Sequence, residues 1–233
     1  MFKNKLILAV VPARGGSKRI PKKNLKKIHN KSLIQIVAEC IAKTKLIDEA
    51  VISSDDEDIL NEAQKYGLSY YFKRPKIISG DYIGDIPVLQ NALKNAEKYN
   101  NRIYDIIIML QPTSPLRKPF DIDSLIRKIV NESLDSVWTV HKVDKKFHPD
   151  KQLKINPEGY LEYFTKKGET IITNQELTDS YMKNGIGYAI TREFLLTQGK
   201  LLGQKSGFIL HEGPIVNIDD LNDLKQASNI LSV

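Results

Sequence analysis

One cysteine, four histidines and no long apolar run set the first limits on this 233-residue chain. A lone Cys40 excludes an intrachain disulfide. Its place in a helical pattern with Ile36, Val37 and Ile41 reads as a buried core thiol rather than a nucleophile. His141 and His148 lack ligand spacing, which argues against a zinc site. No stretch approaches the ~20 apolar residues of a membrane span. The apolar LILAVVPA at 6–13 runs straight into charge and is too short for the apolar region of a secretion signal, so a cytoplasmic domain without a membrane partner is expected. Acid is also missing locally: from Arg14 to Lys31 there are eight lysines and arginines and no Asp or Glu. Without those eight charges the net +7 falls close to neutral. The basic excess is therefore local, and a local excess calls for a local anionic partner.

What is present is globular: 41% hydrophobic and 27% charged residues, enough to bury a sizeable core. LILAVVP at 6–12 has the pattern of a strand buried on both faces. Leu33, Ile34, Val37, Ala38 and Ile41 predict a helix over 32–44. AVISS at 50–54 reads as a strand, with Ser54 or Asp55 capping a helix that carries Ile59, Leu60 and Ala63. SYYF at 69–72 reads as a strand, 86–98 as a helix, YDIIIML at 104–110 as the strongest buried strand, 120–132 as a helix and SVWTV at 136–140 as a strand. This βαβαβ rhythm predicts an α/β fold: a Rossmann-like, mostly parallel sheet with helices on both faces. Such sheets bind ligands beyond the carboxyl ends of their strands.

The rhythm breaks near 141. Residues 142–184 alternate weakly in GYLEYF at 159–164 and in GETIIT at 168–173, and read as a β-ribbon excursion. A surface hairpin and a dimerisation or lid element are equally compatible with that pattern. IGYAIT at 186–191 and GPIVNI at 213–218 return as strands, and a helix over 220–231 ends the sequence.

Three segments carry the chemistry, each directly after a strand-like run. In VVPARGGSKRIPKKN, Gly15 and Gly16 allow close backbone approach and can present N–H groups to oxygens. Ser17 adds a hydroxyl among the fixed cations of Arg14, Lys18, Arg19, Lys22 and Lys23. The segment matches neither a Walker A loop nor G-x-G-x-x-G. A nucleic-acid arm would call for interleaved aromatics, and there are none. A phosphate cradle and a solvated basic face remain. In IVNIDDLNDL, residues 217 and 219 would share a strand face, so Asp219 could hold Mg²⁺ with phosphate oxygens; equally, Asp219 or Asp220 could only cap the last helix. LQPTSPLR presents Gln111, Thr113, Ser114 and Arg117 on a loop whose prolines also fit plain turn chemistry. Asp55, Asp56 and Asp58 read as helix-capping acids.

In this order and spacing the three segments resemble the acylneuraminate cytidylyltransferases, also called CMP-sialic acid or CMP-nonulosonate synthetases, over essentially the whole chain. The resemblance implies one cytidylyltransferase domain over 1–233, with 142–184 as a dimerisation insertion and a homodimer as the assembly. It implies transfer of CMP from CTP to a nine-carbon 2-keto sugar acid with release of pyrophosphate, and Mg²⁺ as cofactor. By that likeness Arg14, Ser17 and Lys23 hold the triphosphate beside the Gly15 and Gly16 backbone, Asn24 contacts the ribose, and Arg74 reads cytosine. Gln111 and Gln175 contact the sugar acid, Tyr188 and Phe208 line its pocket, and Asp219 holds the metal with Asn217 beside it. Three positions depart from the family pattern: Asn217 replaces an Asp, and Asn174 and Met182 replace arginines. The two lost cations favour a legionaminic or pseudaminic acid over N-acetylneuraminate. The alternatives are transfer to a Kdo-type acid or use of another nucleotide, a nucleotide-binding module without catalysis, and a basic nucleic-acid binder.

Overall fold

The apolar run after Leu6 is buried on both sides in the computed structural model, which describes residues 1–232. Strand β1 (Ile7–Pro12) sends Ile7, Ala9 and Val11 into one cluster and Leu8 and Val10 into another. Alternate side chains of a strand point to opposite faces, so such a run needs cover on both. A short hairpin follows, β2 (Lys27–Ile28) against β3 (Lys31–Ser32), and leads into α1 (Leu33–Ala42). Next come β4 (Glu49–Ser53), α2 (Glu57–Lys65), α3 (Asp85–Asn100), β5 (Ile106–Met109) and α4 (Pro119–Asn131). The later strands are β6 (Ser136–Lys142), β7 (Leu153–Ile155), β8 (Leu161–Tyr163) and β9 (Tyr181–Thr191). Helix α5 (Arg192–Thr197), strand β10 (Ser206–Leu210) and helix α6 (Leu221–Leu231) complete the described elements.

The main sheet has six strands in the order β10-β6-β9-β5-β1-β4. β1 runs parallel to both neighbours, with Val10 opposite Val51 and Leu8 opposite Ile107. β5 pairs antiparallel with β9, where Ile108 faces Ala189. Apolar stripes of α1, α2 and α4 cover the Ile7–Ala9–Val11 face, and α3 with Leu195 of α5 covers the other. The expected α/β sheet with helices on both faces is therefore present, and Cys40 lies in its core, where burial pushes the thiol up to about 11.

Several local expectations change. Of the expected capping residues it is Asp56 that caps α2, its carboxylate accepting from the N–H of Asp58 and Ile59. Ser54 and Asp55 are spent elsewhere: the Ser54 hydroxyl accepts from the Asp56 N–H, and the Asp55 carboxylate from the Gly15 N–H. The strand expected at 69–72 shrinks to a single bridge between Val51 and Ser69. Beyond it the chain turns to bring the Arg74 N–H onto the Ser54 carbonyl at 2.8 Å, so its donors leave the ladder. Residues 213–218 form no strand, because the Ile218 N–H bonds the Thr113 carbonyl at 2.8 Å across a loop. The outer edge belongs instead to β10, unforeseen because Gly207 interrupts its pattern. A Cβ there would come 2.5 Å from Leu134 Cδ1, so a side chain at 207 would displace the Leu134 tip.

The chain divides into two compact units. The first comprises Met1–Thr139, Asn184–Ile209 and the chain from Gly213 on. The second comprises Val140–Lys183 and Leu210–Glu212. Within the second, β7 and β8 form an antiparallel ribbon with Leu153 opposite Tyr163. The expected extended run at 168–173 is instead a 3-10 turn at Lys166–Glu169 followed by irregular chain. Gly168 there is pressed against the Asp150 carbonyl, 2.5 Å from where a Cβ would sit.

Candidate active site

β1 sits where the order of the parallel strands turns: the chain leaves it for β4 on one side and reaches β5 on the other. Crevices open at such switch points, beyond the carboxyl ends of the strands. Here the exits of β1 and β5 line a cavity of about 310 Å³ together with Lys23, Asn24, Arg74 and the 217–219 segment. Seven predicted residues meet in it: Arg14, Lys23, Asn24, Arg74, Gln111, Asn217 and Asp219.

The cations in this cavity are held in three ways. Arg14 donates to Asp81 Oδ1 at 2.6 Å, and Lys18 reaches Asp81 Oδ2 at 2.5 Å. Those two cations, Lys18 first, hold the Asp81 carboxyl below its ordinary value. Lys23 is pinned at the Ile218 carbonyl at 2.7 Å and pairs with Asp219 Oδ1 at 3.1 Å. Arg74 is different. It is 5% exposed, its Nε and Nη2 have no hydrogen-bond partner within the protein, and the Asp55 carboxylate stands 3.8 Å away. Burial pushes the guanidinium pKa down, opposed by Asp55. Buried donors left unpaired are costly, so this pair of nitrogens marks where an acceptor belongs.

The two aspartates at the end of the chain separate. Asp220 accepts from the N–H of Asn222 and Asp223 and caps α6. Asp219 faces Lys23 instead. Although 213–218 is not a strand, the alternation survives: Val216 and Ile218 are buried, and Asn217 and Asp219 line the cavity. Among the described residues no cluster of three His, Cys, Asp or Glu could cage a metal. The donor set does suit a hard cation such as Mg²⁺, which takes one or two carboxylates and completes its shell with phosphate oxygens and water.

The remaining predicted residues fall elsewhere. Gly15 donates its N–H to Asp55 at 3.0 Å, and a Cβ on it would strike Asp56 Oδ2 at 2.7 Å. Gly16 has open space around it, and Ser17 folds its N–H back to the Gly15 carbonyl. Asn24 spends its amide on the Arg14 carbonyl at 3.1 Å, which ties the basic loop together. Tyr188 does not line the cavity: its hydroxyl accepts from the Gly185 N–H at 3.1 Å and its ring stands edge-on to Trp138. Phe208 lies on the edge strand β10, separated from β1 by β6, β9 and β5. Gln175 is an exposed residue of the second unit.

Sequence reasoning named Arg117 on the 111–117 loop but missed its supporting role, and it missed Gly185. Arg117 is buried with its guanidinium bonded to the carbonyls of Gln111 (2.7 Å), Gly185 (3.3 Å) and Ile186, so it fixes the β5 exit loop. Desolvation pushes its pKa down to about 10, which leaves it charged at neutral pH. Gly185 adopts φ +75°, and a Cβ there would sit 2.7 Å from Ser114 Oγ and 3.4 Å from Gln111 Oε1. Arg117 stood out only as a member of the 111–117 loop, because its bonds to Gly185 and Ile186 span 68 and 69 positions, and Gly185 carried no local signal.

A family profile described as cytidylyltransferase matches residues 8–215. The chain is 31% identical to a pseudaminic acid cytidylyltransferase of Campylobacter jejuni, over 97% of this chain and 96% of that protein. It is 28% identical to a CMP-N,N'-diacetyllegionaminic acid synthase of the same species, over 97% and 95%. A solved CMP:2-keto-3-deoxy-manno-octonic acid synthetase, complexed with CTP, has the same fold at 20% identity. It superposes with a TM-score of 0.72 over 98% of this chain and 99% of that one.

Gly185→Ala should cost about 1–3 kcal/mol, from the left-handed backbone and the contact with Ser114. Urea unfolding checks this; a change within about 0.5 kcal/mol, as at ordinary surface positions, would show that the loop has room for a side chain.

Proposed function

The chain belongs to the cytidylyltransferase family, and on that premise we propose that it transfers CMP from CTP to the anomeric hydroxyl of a nonulosonic acid and releases pyrophosphate. It is a nucleotidyltransferase. The observation that carries the reading is the buried Arg74 with two unpaired nitrogens, set in one cavity with Arg14 and Lys23. A flat guanidinium with directed donors suits the carbonyl and ring nitrogen of cytosine, whereas Arg14 and Lys23 suit phosphate oxygens.

In the reaction the anomeric oxygen attacks the α-phosphorus and gives up its proton to solvent, the bond from that phosphorus to the bridging oxygen breaks, and pyrophosphate departs with the electron pair. Little covalent chemistry falls to the protein, so positioning and charge stabilisation do most of it. Lys23, already fixed by the Ile218 carbonyl, meets the triphosphate without reorganising. Arg14 and Ser17 take further phosphate oxygens, and the backbone at Gly15 and Gly16 lets the chain come close. Asn24 keeps the Arg14 loop in shape beside the ribose. Gln111, held through its carbonyl by Arg117, faces the sugar acid. Asp219, with the Asn217 amide, would hold Mg²⁺, which when bound neutralises charge on the phosphates.

The two named relatives cited above favour pseudaminic or legionaminic acid as acceptor. At Asn174, one of the departures from the family pattern, Lys151 reaches the side chain and Lys145 the carbonyl, so cationic character persists there. We assign the second unit to dimerisation. Its ribbon exposes Leu153, Ile155, Leu161 and Tyr163, which pair across the two strands, and an exposed apolar surface of that kind favours a partner. A cytoplasmic location fits the absence of any described helix long and apolar enough to cross a membrane.

Pyrophosphate release, measured with each of the four nucleoside triphosphates against a panel of 2-keto sugar acids, tests the reaction. Release is expected with CTP and pseudaminic or legionaminic acid, and only when Mg²⁺ is present. No release with CTP and any nine-carbon acid would overturn the proposal. For the assembly, sedimentation velocity should give a dimer that Leu161→Glu shifts toward monomer; a wild-type monomer at micromolar concentration would refute it.

A further inference from the structure

Asp81 lines this cavity without a part in the proposed reaction, and it engages one cation of the lining, Arg14, and a second cation of the same loop, Lys18. Both of its oxygens are taken: Oδ1 by Arg14 at 2.6 Å and Oδ2 by Lys18 at 2.5 Å. Two fixed cations on the two oxygens of one anion are also the arrangement that a phosphate group would make with the same side chains. We propose that Asp81 is an internal stand-in for the triphosphate, a displaceable carboxylate that keeps the Arg14 loop preformed and is released when polyphosphate takes Arg14 and Lys18.

The segment that carries it is built to let go. Gly80 and Gly84 flank it, and a Cβ at Gly84 would meet nothing within 4 Å. Between them Tyr82 is fully exposed, so it contributes no packing. The segment's own backbone bond, Ile83 N–H to the Gly80 carbonyl, is 3.3 Å long. The Asp81 ion pairs tie it to the β1 loop, and they are open to solvent, with side chains 29% exposed for Asp81, 38% for Arg14 and 79% for Lys18. Exposed pairs of this kind are weak and screened by salt. A polyanion with several charges outcompetes a single carboxylate for the same donors. Asp81 also sits against the place where negative charge must arrive, so it opposes polyphosphate until it moves.

This inference rests on the reading of the cavity as a triphosphate site, and inorganic tripolyphosphate separates the two, because it carries the phosphates without the base. Calorimetry with tripolyphosphate should give a Kd about twofold to tenfold lower for Asp81→Asn than for wild type, the range that exposed ion pairs carry. Chymotryptic cleavage after Tyr82 gives a second readout. Tripolyphosphate should speed it in wild type, and Asp81→Asn should be cleaved fast without ligand. An equal or higher Kd in Asp81→Asn, or cleavage in wild type that does not respond to bound tripolyphosphate, would overturn the role of Asp81. Tripolyphosphate that binds neither protein would overturn it together with the triphosphate site. Binding of tripolyphosphate without any preference for CTP would leave Asp81 standing and remove only the cytidine reading.

Discussion

Everything in the first unit follows from burying β1 on both faces. A six-residue strand with Ile7, Ala9 and Val11 on one side and Leu8 and Val10 on the other cannot sit at an edge or face water. It takes parallel neighbours on both flanks and helices above and below. That arrangement makes β1 the turning point of the strand order, and its carboxyl end then opens into a crevice rather than against packed chain. The basic loop begins at that end. Its position is thus a consequence of core burial, before any ligand is considered.

Charge is the second constraint. Arg14, Lys23 and Arg74 converge on a small volume, with Lys18 on the same loop as Arg14, and cations so placed repel one another unless anions intervene. Asp81, Asp219 and Asp55 supply partial relief, at 2.6 and 2.5 Å, 3.1 Å and 3.8 Å respectively. The relief is incomplete at Arg74, where burial removes water and no acceptor replaces it. A site with three screened cations and one unsatisfied guanidinium is poised for an anionic ligand that also offers acceptors to a buried pocket. Phosphates alone meet the first demand; a base meets the second.

The core strands, the helices and the placing of the basic loop were legible because each depends on short-range pattern: burial on both faces of β1, the 3–4 spacing of Leu89, Ala92, Leu93 and Ala96, and a loop directly after a strand. Arg74 was found only through family likeness, since nothing around it in the sequence distinguishes it from Lys73, whereas Asp219 was already a candidate from the alternation of 217 and 219. What was illegible depends on partners far along the chain. Whether 213–218 pairs in a sheet turned on a carbonyl at Thr113, and whether Tyr188 lines the cavity turned on the Gly185 N–H. Asp81 drew no notice in the sequence, and only the fold brings it to Arg14.

The central claim is that Arg74 makes this cavity selective for cytosine while the other cations serve the phosphates. Calorimetric titration of CTP and UTP into wild type and Arg74→Gln, at one Mg²⁺ and salt concentration, tests it most directly. Wild type should bind CTP at least about tenfold more tightly than UTP, because hydrogen-bond readout discriminates where shape alone does not. In Arg74→Gln that preference should vanish while triphosphate binding persists. Equal affinities for CTP and UTP in wild type, or a cytosine preference that survives in Arg74→Gln, would contradict the account.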